Sequence, residues 1–107
     1  MKIFRQKKWE LGWMIGNFHP TMLKSPHFEV CYKVHKKGEK YEVHTHHIAT
    51  EYNYIIRGSM IIMGKKLYTG DAFIIEPYEI ADPTFQKKTE LIVVKIPSIP
   101  GDKYIIK

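Results

Sequence analysis

The chain has 107 residues, 44% of them hydrophobic, and a net charge of +6 from 17 Lys and Arg against 11 Asp and Glu. This length suits one domain with one core, and no apolar run approaches the roughly 20 residues that a membrane span needs. The lysines are scattered as isolated pairs and only two arginines are present. We therefore expect no nucleic-acid partner and no membrane, although the positive field would still favour an anionic small substrate.

The N-terminus and the cysteine content indicate a compartment. The first eight residues are charged and are not followed by the apolar stretch of a signal peptide. The single cysteine, Cys31, cannot form an internal disulfide, and its sequence neighbours suggest a small buried hydrophobe rather than a nucleophile. We predict a cytoplasmic protein.

The first 27 residues are predicted to form an extension, a strand followed by a loop. Trp9, Leu11, Trp13 and Ile15 alternate along the entering strand, and residues 17–26 have the composition of a loop. The aromatic surface around Trp9 and Trp13 exceeds what a lone strand needs. We therefore expect a homodimer with this segment at or near the interface.

From residue 28 onward the chain consists of short β-type runs broken by turn residues, without a helical period. Along the first run, Phe28, Val30, Tyr32 and Val34 share one face. The runs 72–75 and 91–96 are apolar on both faces, which suits strands pressed between two sheets. The predicted strands are 28–35, 41–46, 52–56, 59–63, 72–75, 91–96 and 104–106. We predict a single all-β domain: a sandwich, jelly roll or barrel.

Three of the six histidines lie within the segment His44-Thr45-His46-His47. On a strand, His44 and His46 project from the same face, and Glu51 can return a carboxylate to the same point after a short turn. Two imidazoles and one carboxylate with open positions opposite are typical of non-haem iron sites. Clustered histidines can equally decorate a surface turn, and the residues alone leave both interpretations open. His47 has the wrong parity and is expected at the rim or the surface.

Parity along the neighbouring strand assigns further positions. Asn53 and Ile55 share a face with Glu51 and are expected to line the pocket, whereas Tyr52 and Tyr54 point to the opposite face and are predicted to lie in the core. The other histidines, His19, His27 and His35, are expected at the surface.

The spacing of these residues resembles the first motif of the cupin family. From Gly38 to Gly58 the chain reads Gly, five residues, His-Thr-His, four residues, Glu, six residues, Gly. The resemblance covers about residues 28–96 and implies a cupin double-stranded β-helix, a jelly-roll barrel, for the domain 1–107. It also implies that Gly38 and Gly58 form tight turns.

The resemblance further implies a metal ion. In this sequence its ligands would be His44, His46 and Glu51, and the metal would be a divalent ion such as iron, manganese, zinc or nickel. The second cupin motif begins at Gly70, but no histidine follows His47 in the chain.

The position of that missing histidine falls at Ala81 or, with one extra turn residue, at Asp82. The fourth ligand would then be Asp82, a water molecule or absent. Asp82 is alternatively a turn residue before Pro83.

These features predict a metal-binding cupin that acts on a small polar metabolite, a sugar or a carboxylate, with the metal as Lewis acid. Glu51 or Glu42, which shares its parity with His44, would move a proton. Isomerase, lyase and oxygenase reactions all fit this scheme. The alternative is a non-catalytic module that binds or senses a sugar or a carboxylate.

Overall fold

The computed structural model describes residues 1–5 and 12–107, and the chain forms eleven β-strands within them. The strands are β1 (Trp13–Gly16), β2 (Leu23–Lys24), β3 (Glu29–His35), β4 (His44–Thr45), β5 (Thr50–Arg57), β6 (Ser59–Ile62), β7 (Lys65–Tyr68), β8 (Ala72–Ile75), β9 (Thr84–Phe85), β10 (Thr89–Ile96) and β11 (Tyr104–Ile105). The all-β prediction is confirmed. Over the same residues, no helix is long and apolar enough to cross a membrane.

The strands build three sheets. The largest has six strands in the order β2-β1-β3-β10-β5-β8, the second has the order β7-β6-β9, and the third consists of β4 and β11. The long strand β10 is central to the largest sheet because it pairs antiparallel with both β3 and β5. This arrangement places β3, β5 and β10, the three longest strands, side by side under the site described below.

The core lies between the inner faces of the two larger sheets. Cys31, Ile55 and Val93 contribute to it from the six-stranded sheet, and Met60 and Phe85 contribute from the three-stranded sheet. Ile55 is fully buried, and Met60 is 1% exposed. Ile55 therefore belongs to the core and does not line the pocket as predicted. Asn53, which lies two residues earlier on the same face of the strand, lines a cavity as predicted.

The outer face of the six-stranded sheet is apolar and open, which corrects two predictions. Tyr52 and Tyr54 are 41% and 48% exposed, so they do not lie in the core. The strand β8 is an edge strand whose Ile74 is 56% exposed, so it is not pressed between two sheets. Val34 on β3 is also exposed, and the apolar face of that strand is its outer one. The predicted alternation along the strand is confirmed, but Tyr52 and Tyr54 lie on the exposed side of the sheet and not on the side that faces the core.

The N-terminal extension joins the edge of this sheet, because β1 pairs antiparallel with β3 and parallel with β2. The strand predicted around Trp13 is confirmed, while Trp9 and Leu11 lie outside the described residues. The Trp13 ring packs against the core cluster and lines the two cavities described below. The homodimer with this segment at or near its interface stays a prediction.

Gly58 lets the chain pass from the six-stranded to the three-stranded sheet. Its φ is +125°, and a Cβ atom there would lie 2.6 Å from the Thr89 hydroxyl oxygen and 2.7 Å from the Lys88 carbonyl oxygen. No side chain fits this approach, so the glycine is required. Gly38 also has a positive φ, of 73°, as the motif implied.

Candidate metal centre

Three predicted ligands come together at the mouth of the barrel. His44 on β4, His46 just after it and Glu51 on β5 each offer a ligand atom, and these atoms all lie within 4.8 Å of one another. The Nε2 atom of His46 is 3.3 Å from a carboxylate oxygen of Glu51. Ligand atoms bound to one metal at about 2.1 Å are roughly 3.0–3.5 Å apart, so this pair has the spacing of neighbouring ligands.

Backbone carbonyls fix the orientation of both imidazoles. The Nδ1 atom of His44 donates to the carbonyl oxygen of Glu42 at 2.9 Å, and the Nδ1 atom of His46 donates to the carbonyl oxygen of Asp102. In the neutral form of each ring the Nε2 atom is therefore the unprotonated one, as a metal ligand must be. The Nε2 atom of His46 is buried and has no hydrogen-bond partner among the described residues. Such an orphaned acceptor beside a carboxylate fits a cation between them.

The charge states of the ligands also suit a metal. Burial lowers the pKa of His44 below its ordinary value, so the ring is neutral at physiological pH. Burial alone would raise the pKa of Glu51, but the neighbouring imidazole of His46 and the charge of Lys95 outweigh this effect, and the pKa is lowered. Neutral imidazoles and an ionised carboxylate are the forms that bind a divalent ion.

Asp102 holds the loop between the ligands in place, and the sequence analysis missed it. Its carboxylate accepts hydrogen bonds from the backbone N–H groups of His47 at 2.9 Å, Ile48 at 3.2 Å and Ala49 at 2.9 Å. Burial would raise the pKa of Asp102, but these donors lower it below its ordinary value. Together with the carbonyl bond to His46, Asp102 ties the segment 97–102 to the metal-binding loop.

The structure does not bring Asp82 into this cluster. Its side chain is exposed, and its Oδ1 atom accepts a hydrogen bond from the backbone N–H of Met63 at 2.7 Å, so it acts as a turn residue. The preceding residue, Ala81, exchanges two backbone hydrogen bonds with His44 and is 2% exposed. The site position of the second motif is thus occupied by a methyl group, which offers no ligand.

Glu42 does not face the site either. Its side chain is 63% exposed and pairs with Lys103 at 3.5 Å. The strand β4 begins only at His44, so strand alternation does not extend back to residue 42, and only the carbonyl oxygen of Glu42 serves the site. His47 lies at the rim, as expected, with its ring stacked on Tyr104 at 3.6 Å between centroids. His35, expected at the surface, is 6% exposed and stacks on Phe85.

Two adjoining cavities give access to the cluster. The larger, about 320 Å³, contains His46, and the smaller, about 70 Å³, contains His44 and Glu51. Five residues line both cavities and so mark the place where they meet: Trp13, Lys33, Tyr41, Lys95 and Lys103. Glu29 also lines the larger cavity, and burial raises the pKa of its carboxyl. The cavity is thus polar at its inner end and carries several charged groups.

Sequence reasoning missed the charged residues of the cavity wall, although a signal was present. Glu29 and Lys33 alternate with the apolar residues of β3, and Lys95 follows Leu91 and Val93 with the same parity on β10. Charged residues in the middle of a sheet, on a face shared with buried residues, indicate a lined cavity.

Comparisons with known proteins show the fold. No family model matches the chain, and no curated protein matches it in sequence. A conserved protein with a double-stranded β-helix domain from Klebsiella pneumoniae is 18% identical, with a TM-score of 0.66 over 72% of this chain and 69% of that one. A protein with a cupin-like fold from Ralstonia eutropha is 16% identical, with a TM-score of 0.65 over 86% of this chain and 59% of that one.

A third similar structure holds a metal. The bacterial pirin YhhW from Escherichia coli, solved in complex with nickel(II), is 16% identical, with a TM-score of 0.68 over 81% of this chain and 39% of that one. These likenesses confirm that the chain has the double-stranded β-helix fold of the cupins, in a cupin-like single domain.

Proposed function

We propose that the protein binds a divalent metal ion on His44, His46 and Glu51 and acts with it on a small metabolite that enters through the larger cavity. The observation that carries the proposal is the convergence of three ligand atoms within 4.8 Å, one of them a buried imidazole nitrogen without a hydrogen-bond partner in the described chain. The nickel(II) complex of the pirin with the same fold supports it. When bound, the metal would supply Lewis-acid polarisation of a ligand oxygen.

The residues of the chain divide the remaining tasks. Two carbonyl oxygens orient the imidazoles. Glu51 is the third ligand, so its carboxylate is committed to the metal rather than to proton transfer. Glu29 is the group that we assign to moving a proton, because it lines the cavity and burial raises its pKa. The Ser98 hydroxyl donates to Glu29 Oε1 at 3.2 Å and accepts from the Asn17 N–H at 2.8 Å, which orients the carboxyl group. Isomerase and lyase reactions that move a proton to or from the substrate use such a group.

The metal content of purified protein tests the first part of the proposal. The double variant His44→Ala/His46→Ala should lose the metal, measured by elemental analysis, while its fold persists, because the core is apolar and does not include these side chains. The exposed His27 provides a matched control, and His27→Ala should keep the wild-type metal content. Equal metal content in the double variant and the wild type would refute the site.

Turnover tests the second part. Metal-replete protein incubated with a panel of small carboxylates and sugars should convert at least one of them, and the double variant should not. Binding without turnover across the panel would instead support a non-catalytic module that senses or stores its ligand.

A further inference from the structure

Three lysines stand at the passage between the two cavities. Lys33, Lys95 and Lys103 line both cavities, so their side chains border the same space as the metal ligands. The Nζ atom of Lys95 lies 4.9 Å from the centre of the Trp13 ring, and that of Lys103 lies 4.9 Å from the centre of the Tyr41 ring. The aromatic rings thus hold the ammonium groups at the cavity wall.

Two of these lysines form no close ion pair. Lys33 and Lys95 are half-buried, and neither takes part in an ion pair within the described part of the chain. Lys95 lies opposite both Glu29 and Glu51 in the strand register and forms an ion pair with neither; Glu51 lies beside His46, and burial raises the pKa of Glu29. Burial lowers the pKa of Lys33, which shows that its ammonium group is partly removed from water. A partly desolvated cation without a counter-ion is unfavourable, and a bound anion would offset that cost.

One side of the larger cavity is apolar and aromatic. Trp13 and Phe18 meet edge to face, with ring centroids 6.2 Å apart, and Pro20, Ile99 and Pro100 complete this side. The volume of about 320 Å³ is at the lower end of the range for ligand sites, roughly 300–1,000 Å³. The hydroxyl groups that a sugar would place against these apolar side chains would find no partner there.

We propose that the ligand is a small carboxylate with a flat apolar body, its carboxylate held by Lys33 and Lys95 and its body packed against Trp13 and Phe18. This inference rests on the proposed function in that it concerns the same cavity, but it is carried by the lysines and rings and not by the metal ligands. It narrows the expected substrate from a sugar or carboxylate to an aromatic or similarly flat carboxylate.

Titration calorimetry of the metal-replete protein tests the inference with three probes: benzoate, its neutral isostere benzamide, and glucose. Benzoate should bind at least tenfold more tightly than benzamide, and glucose should bind more weakly still. Lys33→Met and Lys95→Met, which keep the length of the side chain and remove its charge, should each weaken benzoate binding about tenfold. Lys66→Met is the matched control, because the Lys66 ammonium also lies over a ring, that of Tyr68 at 5.7 Å, but outside both cavities.

The outcomes separate this inference from the metal proposal. The metal-free variant His44→Ala/His46→Ala should still bind benzoate, and this binding should still weaken when Lys95 is replaced. That result would support the lysine-bound carboxylate independently of the metal site. Benzamide or glucose binding as tightly as benzoate, or unchanged benzoate affinity in both methionine variants, would overturn the inference. If a methionine variant unfolds, Lys95→Arg keeps the charge and should retain benzoate affinity within a few-fold; a tenfold loss in that folded variant would also overturn it.

Discussion

Removing the carboxylate of Asp102 should destabilise the protein and loosen its metal site. In Asp102→Ala the backbone N–H groups of His47, Ile48 and Ala49 lose a charged acceptor. A hydrogen bond to a charged group is worth about 1.5–3 kcal/mol, and a donor left buried costs a similar amount. Ile48 is exposed, so water can replace the carboxylate there, whereas Ala49 is 3% exposed and cannot recover its bond. Because neighbouring bonds are not additive, we expect a loss of about 3 kcal/mol in the free energy of unfolding.

The assay is urea denaturation followed by tryptophan fluorescence, combined with metal titration of the folded variant. Metal affinity should fall about tenfold, as is usual when a group that orients a ligand is disturbed. Asp71→Ala is the control: the Asp71 carboxylate accepts from the Tyr68 N–H at 2.8 Å in an exposed turn, and its loss should cost about 1 kcal/mol without changing metal affinity. A loss in Asp102→Ala below 1 kcal/mol, or a metal affinity equal to that of Asp71→Ala, would refute the reasoning.

Three further predictions concern other parts of the molecule. Glu29→Gln should lower kcat about 10²-fold or more with unchanged metal content; a wild-type kcat would exclude Glu29 as the proton carrier. The hydrogen bond to His35 lowers the pKa of Glu39. The Glu39 carboxylate therefore stabilises the fold fully at pH values above its pKa in the unfolded chain, and this stabilisation is lost as the pH falls through its pKa in the folded protein. Glu39→Gln should therefore be less stable than wild type at pH 7 and equal to it near pH 3 in thermal unfolding, and a pH-independent difference would contradict this. A second copy of the chain should cover the apolar outer face of the six-stranded sheet. Light scattering should therefore give a dimer mass for the wild type and for the control Tyr68→Glu, and a monomer mass for Tyr54→Glu. A monomer mass for the wild type would contradict this prediction.

The convergence of His44, His46 and Glu51 could be predicted from strand parity together with the spacing that resembles the cupin motif. Residues two apart on a strand share a face, and a four-residue turn returns the chain to it, so His44, His46 and Glu51 meet as expected. The same rule failed for Glu42, because the strand begins after that residue and an irregular segment has no fixed parity. The position of Asp82 depended on the length of a turn that the sequence does not define.

The inside of the six-stranded sheet could not be identified from hydrophobicity. Its outer face carries Tyr52 and Tyr54, while its inner face carries Glu29, Lys33 and Lys95 towards the cavity. The charged side chains of the inner face border a cavity, whereas the tyrosines lie on the outer face. A prediction that places every apolar face in the core and every charged face in solvent therefore assigns these two faces incorrectly. Asp102 could not be found by local reasoning for another reason, since its bonds to residues 47–49 span about half of the chain.

The pairing of β11 with β4 affects the order in which the protein can be assembled during synthesis. The strand that carries His44 is paired only with Tyr104–Ile105 in its sheet, and His46 is oriented by the carbonyl of Asp102. A nascent chain therefore emerges from the ribosome with all three ligands long before the segment that supports them, since translation runs from the N-terminus at about 5–20 residues per second. The geometry of the candidate metal centre is thus completed only with the last described strand, after translation has passed residue 105.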